Sequence, residues 1–514
     1  MRVGLKNKVL YGIGFVLIVI LVYGWRLGMG IAVHSDETCN IFVGFDMFQG
    51  NIFLKDWFFS TGIFGLTTLE LSLATLVLGY SDTIIYIIAA INYTLLIMAC
   101  VYIVKKTSGE GKESFLYSII VVCILIVPRT EPLLNAGTHV LSYAVSVGAI
   151  YLTYGLSNRI CRTWLKIVWG GILGFLALTN SMFLYTTCIP IICVGVLIAY
   201  KDKKELNRYQ MLTYGMVSLI VYAVLKRTWE FLRGADLGGI NTIFVTRDGI
   251  LNHIVIGICN ILELYGINFW GENVISISTC RSIVGLFILA SLMCETYKFL
   301  KSNRGKERIL IWLFLFMALV NLGAYIFSTV PAYSPGTNLL QPFLIGFTTA
   351  SILSWIYNVR NNISKMHIRL FGVASIIFLV IMLPAFTLKQ PDNSSKQQAA
   401  EYLVENGYEK GFGAYWDAAS IMYEAHGNVI ITPVVSDAAA VTGDARNIIS
   451  FRWMNKKEWE QQEGNFLVVD ADSAIQYGIN DENILFTFGA YSDIKQFGDI
   501  TVYVWEENKK LLDY

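Results

Sequence analysis

The chain is poor in the residues that staple or charge a soluble protein. Its nine cysteines form no C-x-x-C pair, and none lies beyond residue 389, which argues against zinc ribbons and disulfide frameworks. Charged residues make up only 15% of the 514 positions and the net charge is +1, so the basic face or stripe that nucleic acid requires is missing. No repeat of roughly 20 to 50 residues and no low-complexity tract is present. What fills the chain instead is apolar: 55% hydrophobic residues and a mean hydropathy of +0.54. These values fit a polytopic membrane protein and no soluble class.

Apolar stretches of about 17 to 25 residues can cross a ~30 Å hydrocarbon layer. About eleven occur, near 9–31, 83–104, 114–128, 138–157, 164–180, 182–200, 210–226, 276–298, 308–330, 338–358 and 368–388. The third and fifth are short. The first follows a basic Arg2, Lys6, Lys8 start, yet exceeds a usual signal-peptide core and lacks a small-x-small cleavage site, so it reads as a retained helix. The stretch 61–80 could also span, but it carries Glu70 and would disturb the charge pattern. With the N-terminus cytoplasmic, inner segments hold 21 lysines and arginines against eight in the outer segments before residue 389. This asymmetry is the one that retains basic loops inside.

Three long segments are then expected on the outer side: 32–82, 227–275, and everything from 389 to 514. The last alternates helix and strand through SSKQQAAEYLVENGYEKGFGAYWDAASIMYEAHGNVIITPVV, with Gly407 as a helix stop. Further strands are expected at NFLVVD, NILFTF and ITVYVW. This pattern predicts a separate extracytoplasmic α/β domain over 389–514, beside a transmembrane domain over 1–388.

The first outer segment begins IAVHSDETCNIFVGFDMFQGNIFLKDW. Ile41, Phe42, Phe45 and Phe48 share one helical face, which predicts an amphipathic helix on the membrane surface. Asp36 would stand at its start, where an N-cap is the simple explanation. A second feature is VPRTEPLLNAGTHVLSYAVS. There Arg129 and Glu131 lie between prolines at the outer mouth, equally suited to a surface pair or to phosphate binding. His139 begins the next helix, where an interhelical hydrogen bond is the simpler expectation.

The pair Asp36-Glu37, just after the first helix and before an aromatic amphipathic loop, resembles the first outer loop of polyprenyl-phosphate-sugar-dependent glycosyltransferases of the GT-C superfamily. Bacterial protein O-mannosyltransferases and lipid A aminoarabinose transferases are members. LALTNSMFLYTTCIP is similar to that group's Leu-Thr-Lys…Pro helix, with Asn180 in place of lysine. PGTNLLQPFL is similar to its Arg-Tyr…Pro segment, with Asn338 in the arginine region. GFGAYWDAASIMYEAHGNVIITP looks like outer domains appended to bacterial members. The resemblance implies a multi-pass cell-membrane enzyme of GT-C-like fold. It would move a sugar from a polyprenyl-phosphate donor to a cell-envelope glycan, glycolipid or protein, with inversion. It also implies that Asp36 is the general base and Glu37 a supporting acid or metal contact, a divalent metal being possible.

Such a transfer needs a carboxylate near the acceptor hydroxyl and cations near the departing phosphate. Arg129, Arg227, Arg233 and Arg247 are the outer candidates for phosphate, with Glu131 and His139 beside them. For any one arginine, snorkelling to lipid headgroups is the simpler expectation. Trp57, Trp229 and Trp270 could stack on sugars or form an interfacial belt. Two other classes remain open. One is a catalytically silent lipid-glycan binder, consistent with the asparagines at 180 and 338. The other is a transporter, which the lack of an internal repeat counts against.

Overall fold

The computed structural model describes residues 2–59, 65–109, 112–126, 137, 139–158, 162–201, 206–232, 234–237, 243–302, 308–329, 339–359, 365–391, 393–437, 447–460 and 462–511. In chain order come α1 (Arg2–Gly28), α2 (Ser35–Phe48), β1 (Trp57–Phe59), α3 (Leu66–Leu78), α4 (Asp82–Ser108), α5 (Lys112–Leu125), α6 (Val140–Ser157) and α7 (Thr163–Thr179). A π-helical turn at Leu184–Cys188 leads into α8 (Ile189–Lys201), followed by α9 (Leu206–Phe231), β2 (Asp236–Leu237), α10 (Arg247–Leu264), α11 (Ile277–Lys301), α12 (Arg308–Phe327), α13 (Gln341–Val359) and α14 (Lys365–Met382). A helix stands at each expected span. Among the described residues, Tyr11–Gly28, Asp82–Ser108, Val140–Ser157, Ile277–Lys301 and Ile309–Phe327 are long and apolar enough by themselves to cross a membrane.

Close backbone approach binds the bundle. A Cβ on Gly174 of α7 would lie 2.6 Å from the Ser218 carbonyl oxygen of α9, and one on Gly170 would meet Val217 at 2.7 Å. This small-xxx-small spacing lets helices pack where lipid provides no hydrophobic drive. Helix α3 has only 13 residues, about 20 Å of rise, too short to cross. Its Thr67, Thr68, Leu71, Ser72 and Thr75 are buried, while Leu73, Leu76, Val77 and Leu78 are exposed. Glu70 on α3 accepts a 2.9 Å hydrogen bond from Asn92 of α4.

The three segments expected on one side do meet. Strand β1 from the first pairs in parallel with β2 from the second, and antiparallel with β6 (Asn455–Lys456) from the third. Backbone bonding through one small sheet requires all three to lie on one side of the bundle.

The C-terminal unit runs α15 (Ser394–Glu405), β3 (Lys410–Ala414), α16 (Tyr415–Glu424), β4 (Ile430–Ser436), β5 (Ile448–Ser450), β6, β7 (Glu463–Asp470), α17 (Ala471–Tyr477), α18 (Asp481–Phe488), β8 (Asp493–Phe497) and β9 (Ile500–Lys510), with one helical turn at Lys457–Glu460. Gly407 ends α15 in the left-handed region at φ +71°, as expected of a helix stop. The sheet order is β5-β4-β3-β7-β9-β8. Strands β3, β4 and β7 are parallel, and the rest join antiparallel. One expected strand is wrong: NILFTF forms α18. The Asn480 side chain accepts from the Asn483 amide at 3.0 Å while Asn483 returns the bond at 2.9 Å, and this double cap outweighs the strand propensity of Ile, Phe and Thr.

Candidate active site

Asp36 sits in the first turn of α2 and keeps partial exposure. It is not the N-cap. His34 holds that position, its Nδ1 accepting from the Asp36 amide at 3.3 Å, so the capping explanation does not account for the aspartate. Asn40 donates to the Asp36 carbonyl oxygen at 2.6 Å and accepts from Thr68 of α3 at 2.5 Å. Gly137 lies on the other side. A Cβ there would stand 2.5 Å from the Asp36 carbonyl carbon and oxygen and 2.7 Å from the Glu37 nitrogen, so the segment before α6 packs directly on the Asp36–Glu37 peptide.

The Asp36 carboxylate receives a 2.5 Å hydrogen bond from the Tyr415 hydroxyl, at the start of α16. Burial pushes the Asp36 carboxyl above the ordinary carboxylate range; the neighbouring His34 and the Tyr415 bond pull it back, and Glu37 raises it slightly. A carboxylate raised in this way is a better proton acceptor near neutral pH than a solvated one.

Glu37 plays a different part. Its two oxygens accept from Arg26 Nη1 and Nη2 at 2.7 and 2.8 Å, and both side chains are fully buried. The guanidinium also lies over the Tyr86 ring, 4.6 Å from its centroid. This bidentate pair ties the end of α1 to α2 and commits both Glu37 oxygens. Arg26 was not singled out in the sequence, because a lone arginine closing an apolar run resembles an interfacial anchor. Among the described residues no group of three or more His, Cys, Asp or Glu is placed to hold a metal ion. With both oxygens held by Arg26, Glu37 does not fit the role of a metal contact.

His139 and Asn180 form a second cluster. The Met182 amide donates to Asn180 Oδ1 at 3.0 Å, which fixes the amide orientation. Asn180 Nδ2 therefore faces His139 Nδ1 at 2.8 Å and Ser142 Oγ at 3.0 Å. With Nδ1 accepting, the His139 proton resides on Nε2. Asn180, where the resembling motif carries lysine, thus makes the interhelical bond.

The remaining candidates scatter. Arg227 is exposed and pairs with Glu230 at 3.0 Å. Arg247 is exposed at the first turn of α10, a helix packed on α12. No described contact joins either arginine to Asp36. Arg129, Glu131, Arg233 and Asn338 lie outside the described residues. Trp57 is sealed, its Nε1 donating to Asp46 at 2.8 Å and its ring edge-on to Trp459 at 5.3 Å. Trp229 packs on Phe53, and Trp270 is exposed.

The apolar stripe of α2 also turns inward. Ile41 is fully buried with Leu71, Ile85, Tyr86 and Tyr423. Phe42 and Phe45 pack partly against the same cluster, and Phe48 stays exposed. The stripe thus faces α3, α4 and the C-terminal unit more than lipid. Cys39 extends that contact, its thiol donating to the Met454 carbonyl at 2.8 Å.

The C-terminal unit meets α2 at a defined place. The order in which strands are added reverses between the parallel strands β3 and β7, since the chain leaves β3 to one side for β4 and returns on the other as β7. Outside the carboxyl ends of strands at such a reversal, α/β sheets open a crevice where ligands bind. Here Tyr415, Trp416 and Asp417 follow β3, and Asp470 ends β7. The Asp36 end of α2 docks against these residues.

No protein-family profile matches this sequence, and no curated protein matches it. Solved structures do. ArnT from Cupriavidus metallidurans bound to undecaprenyl phosphate aligns with a TM-score of 0.54 at 11% identity, covering 96% of this chain and 97% of that one. The apo state of the same protein gives 0.53 at 10% identity, covering 97% and 98%. The Archaeoglobus fulgidus oligosaccharyltransferase complex with Zn and sulfate aligns more loosely, with a TM-score of 0.43 at 14% identity over 91% of this chain and 67% of that one. From end to end, the chain has the fold seen in ArnT.

Proposed function

We propose that this protein is a multi-pass membrane glycosyltransferase that uses a polyprenyl-phosphate sugar. The observation that carries the reading is Asp36: a partly exposed, burial-raised carboxylate held from several sides, in a fold shared with a protein whose structure holds undecaprenyl phosphate. In the proposed reaction an acceptor hydroxyl gives its proton to Asp36 while its oxygen attacks the anomeric carbon. The bond from that carbon to the phosphate oxygen breaks, its electron pair stays with the phosphate, and the sugar is inverted. Polyprenyl phosphate departs as an anion, its lipid tail never leaving the bilayer.

In this reading Glu37 acts through Arg26 to fix the α2 turn. Cations from the outer loops steady the phosphate; Arg129, Arg227, Arg233 and Arg247 are the proposed set, with Glu131 beside Arg129. His139 adds an Nε2–H donor, on a segment two residues from the Gly137 contact with Asp36. Residues 1–388 form the membrane domain with a cytoplasmic N-terminus. The stretch 389–514 is an extracytoplasmic domain over the mouth, and the acceptor is a cell-envelope glycan, glycolipid or protein.

The second reading, a silent lipid-glycan binder, is favoured by one observation: Asn180, where the resembling motif has a cation, spends its amide on His139. A single assay separates the two. Purified protein given undecaprenyl-phosphate sugars releases undecaprenyl phosphate when acceptor is added if it is a transferase. Saturable donor binding with no release under any acceptor supports the binder instead.

A further inference from the structure

Three consecutive residues of the C-terminal unit, following strand β3, hold the start of α2. Tyr415 is buried at 3% exposure and donates to Asp36 Oδ1. Trp416 meets the His34 ring edge-on at 5.3 Å, and His34 accepts from the Asp36 amide. Asp417, fully buried, accepts from the Asp470 amide at 2.9 Å and so anchors this turn to the end of β7. Lys396 of α15 completes the seam, donating to Ser420 at 3.1 Å and to the Val33 carbonyl at 3.4 Å. The contact joins residues 379 positions apart, at the crevice where an α/β sheet would otherwise take a ligand of its own.

We propose that Tyr415 is a positioning residue for Asp36: its hydroxyl orients the carboxylate, favours the ionised form and leaves the second oxygen to receive a proton, so the C-terminal unit completes the site. The chemistry is specific to the phenol. A hydrogen bond donated to a carboxylate stabilises its charged form. Tyr415 remains a donor throughout, because burial and the adjacent Asp36 charge push its own ionisation well above the ordinary phenol range. The other groups that bear on Asp36 are His34, Glu37 with its partner Arg26, and Cys39 on the α1–α2 side; from the C-terminal side come Tyr415 and Tyr477. Among these, His34 and Tyr415 favour the ionised carboxylate and Glu37 opposes it.

The kinetic consequence rests on the reading of Asp36 as the base, whereas the contact itself does not. The test is an infrared difference titration of the full-length protein in lipid nanodiscs, with Asp36→Asn marking which carboxyl band belongs to Asp36. In Tyr415→Phe that band titrates at a pH higher by roughly one unit than in the wild type, and the acidic limb of undecaprenyl-phosphate-sugar turnover moves with it. An unmoved Asp36 titration in folded Tyr415→Phe overturns the proposal. If that variant does not fold, 3-fluorotyrosine at 415, a stronger donor of nearly equal shape, shifts the titration the opposite way, and no shift there overturns it as well. A moved titration with an unmoved turnover profile upholds the contact and removes Asp36 as base.

Discussion

The Arg26–Glu37 pair is the residue-scale feature with the plainest energetic consequence. Both ends are sealed from water, so removing one leaves the other charged and uncompensated. Arg26→Met is expected to cost about 3 to 5 kcal/mol, while the double change Arg26→Met with Glu37→Leu costs much less, since similar apolar volume replaces both charges. Unfolding of the detergent-solubilised variants measures the difference; equal losses would contradict the account. Gly137 is the steric counterpart. Glycine is required there by proximity, because a Cβ would stand 2.5 Å from backbone atoms of Asp36 that cannot rotate away. Gly137→Ala should move the carboxylate by a fraction of an ångström and lower turnover by roughly 10- to 100-fold. Donor affinity should change little, and a titration with labelled donor checks that half of the expectation.

At the scale of elements, the start of α4 and the end of α16 bring two acids together. Asp82 at the start of α4 bears on the Glu424 carboxyl at the end of α16, and two like charges brought together out of water oppose ionisation of both. Burial and then the Asp82 charge push Glu424 from 4.5 up to about 7. A carboxyl raised on folding contributes stability that is fully present below its unfolded value and lost as pH rises through the folded one. Between pH 4.5 and about 7 the docking of α16 on α4 should therefore weaken, and Glu424→Gln should flatten that dependence. Hydrogen exchange of α16 backbone amides across this range reads it; an unchanged slope in the variant would count against Glu424 as its source. Element boundaries also show where local sequence reasoning works. The α15–β3–α16–β4 alternation was legible because a left-handed Gly407 and two apolar runs punctuate it. The segment NILFTF was misread because its fate is set by the Asn480–Asn483 cap just before it, a side-chain exchange that propensity does not register.

For the whole molecule, the bundle was legible from hydropathy, and the grouping of three distant loops from charge asymmetry, because both follow from the bilayer acting as solvent. The surroundings of Asp36 were not. Local pattern marked the Asp36–Glu37 pair, yet it could not tell that one carboxylate is sealed by Arg26 and the other touched by Tyr415, since those partners are fixed by tertiary docking alone. The same blindness assigned the α2 aromatic stripe to lipid when most of it packs on α3, α4 and the C-terminal unit. Sidedness follows from the proposed topology. A cysteine placed at exposed Trp270, in the second outer segment, should react with an impermeant thiol reagent from outside intact cells, and labelling only after lysis would invert the topology.

The central claim is that Asp36 takes the acceptor's proton, and Asp36→Asn tests it because it keeps shape and polarity while removing the base. In single-turnover transfer from undecaprenyl-phosphate sugar, the account predicts a loss of roughly 100-fold or more in rate, with donor binding within about twofold of the unaltered protein. Transfer by Asp36→Asn at the unaltered rate would contradict it.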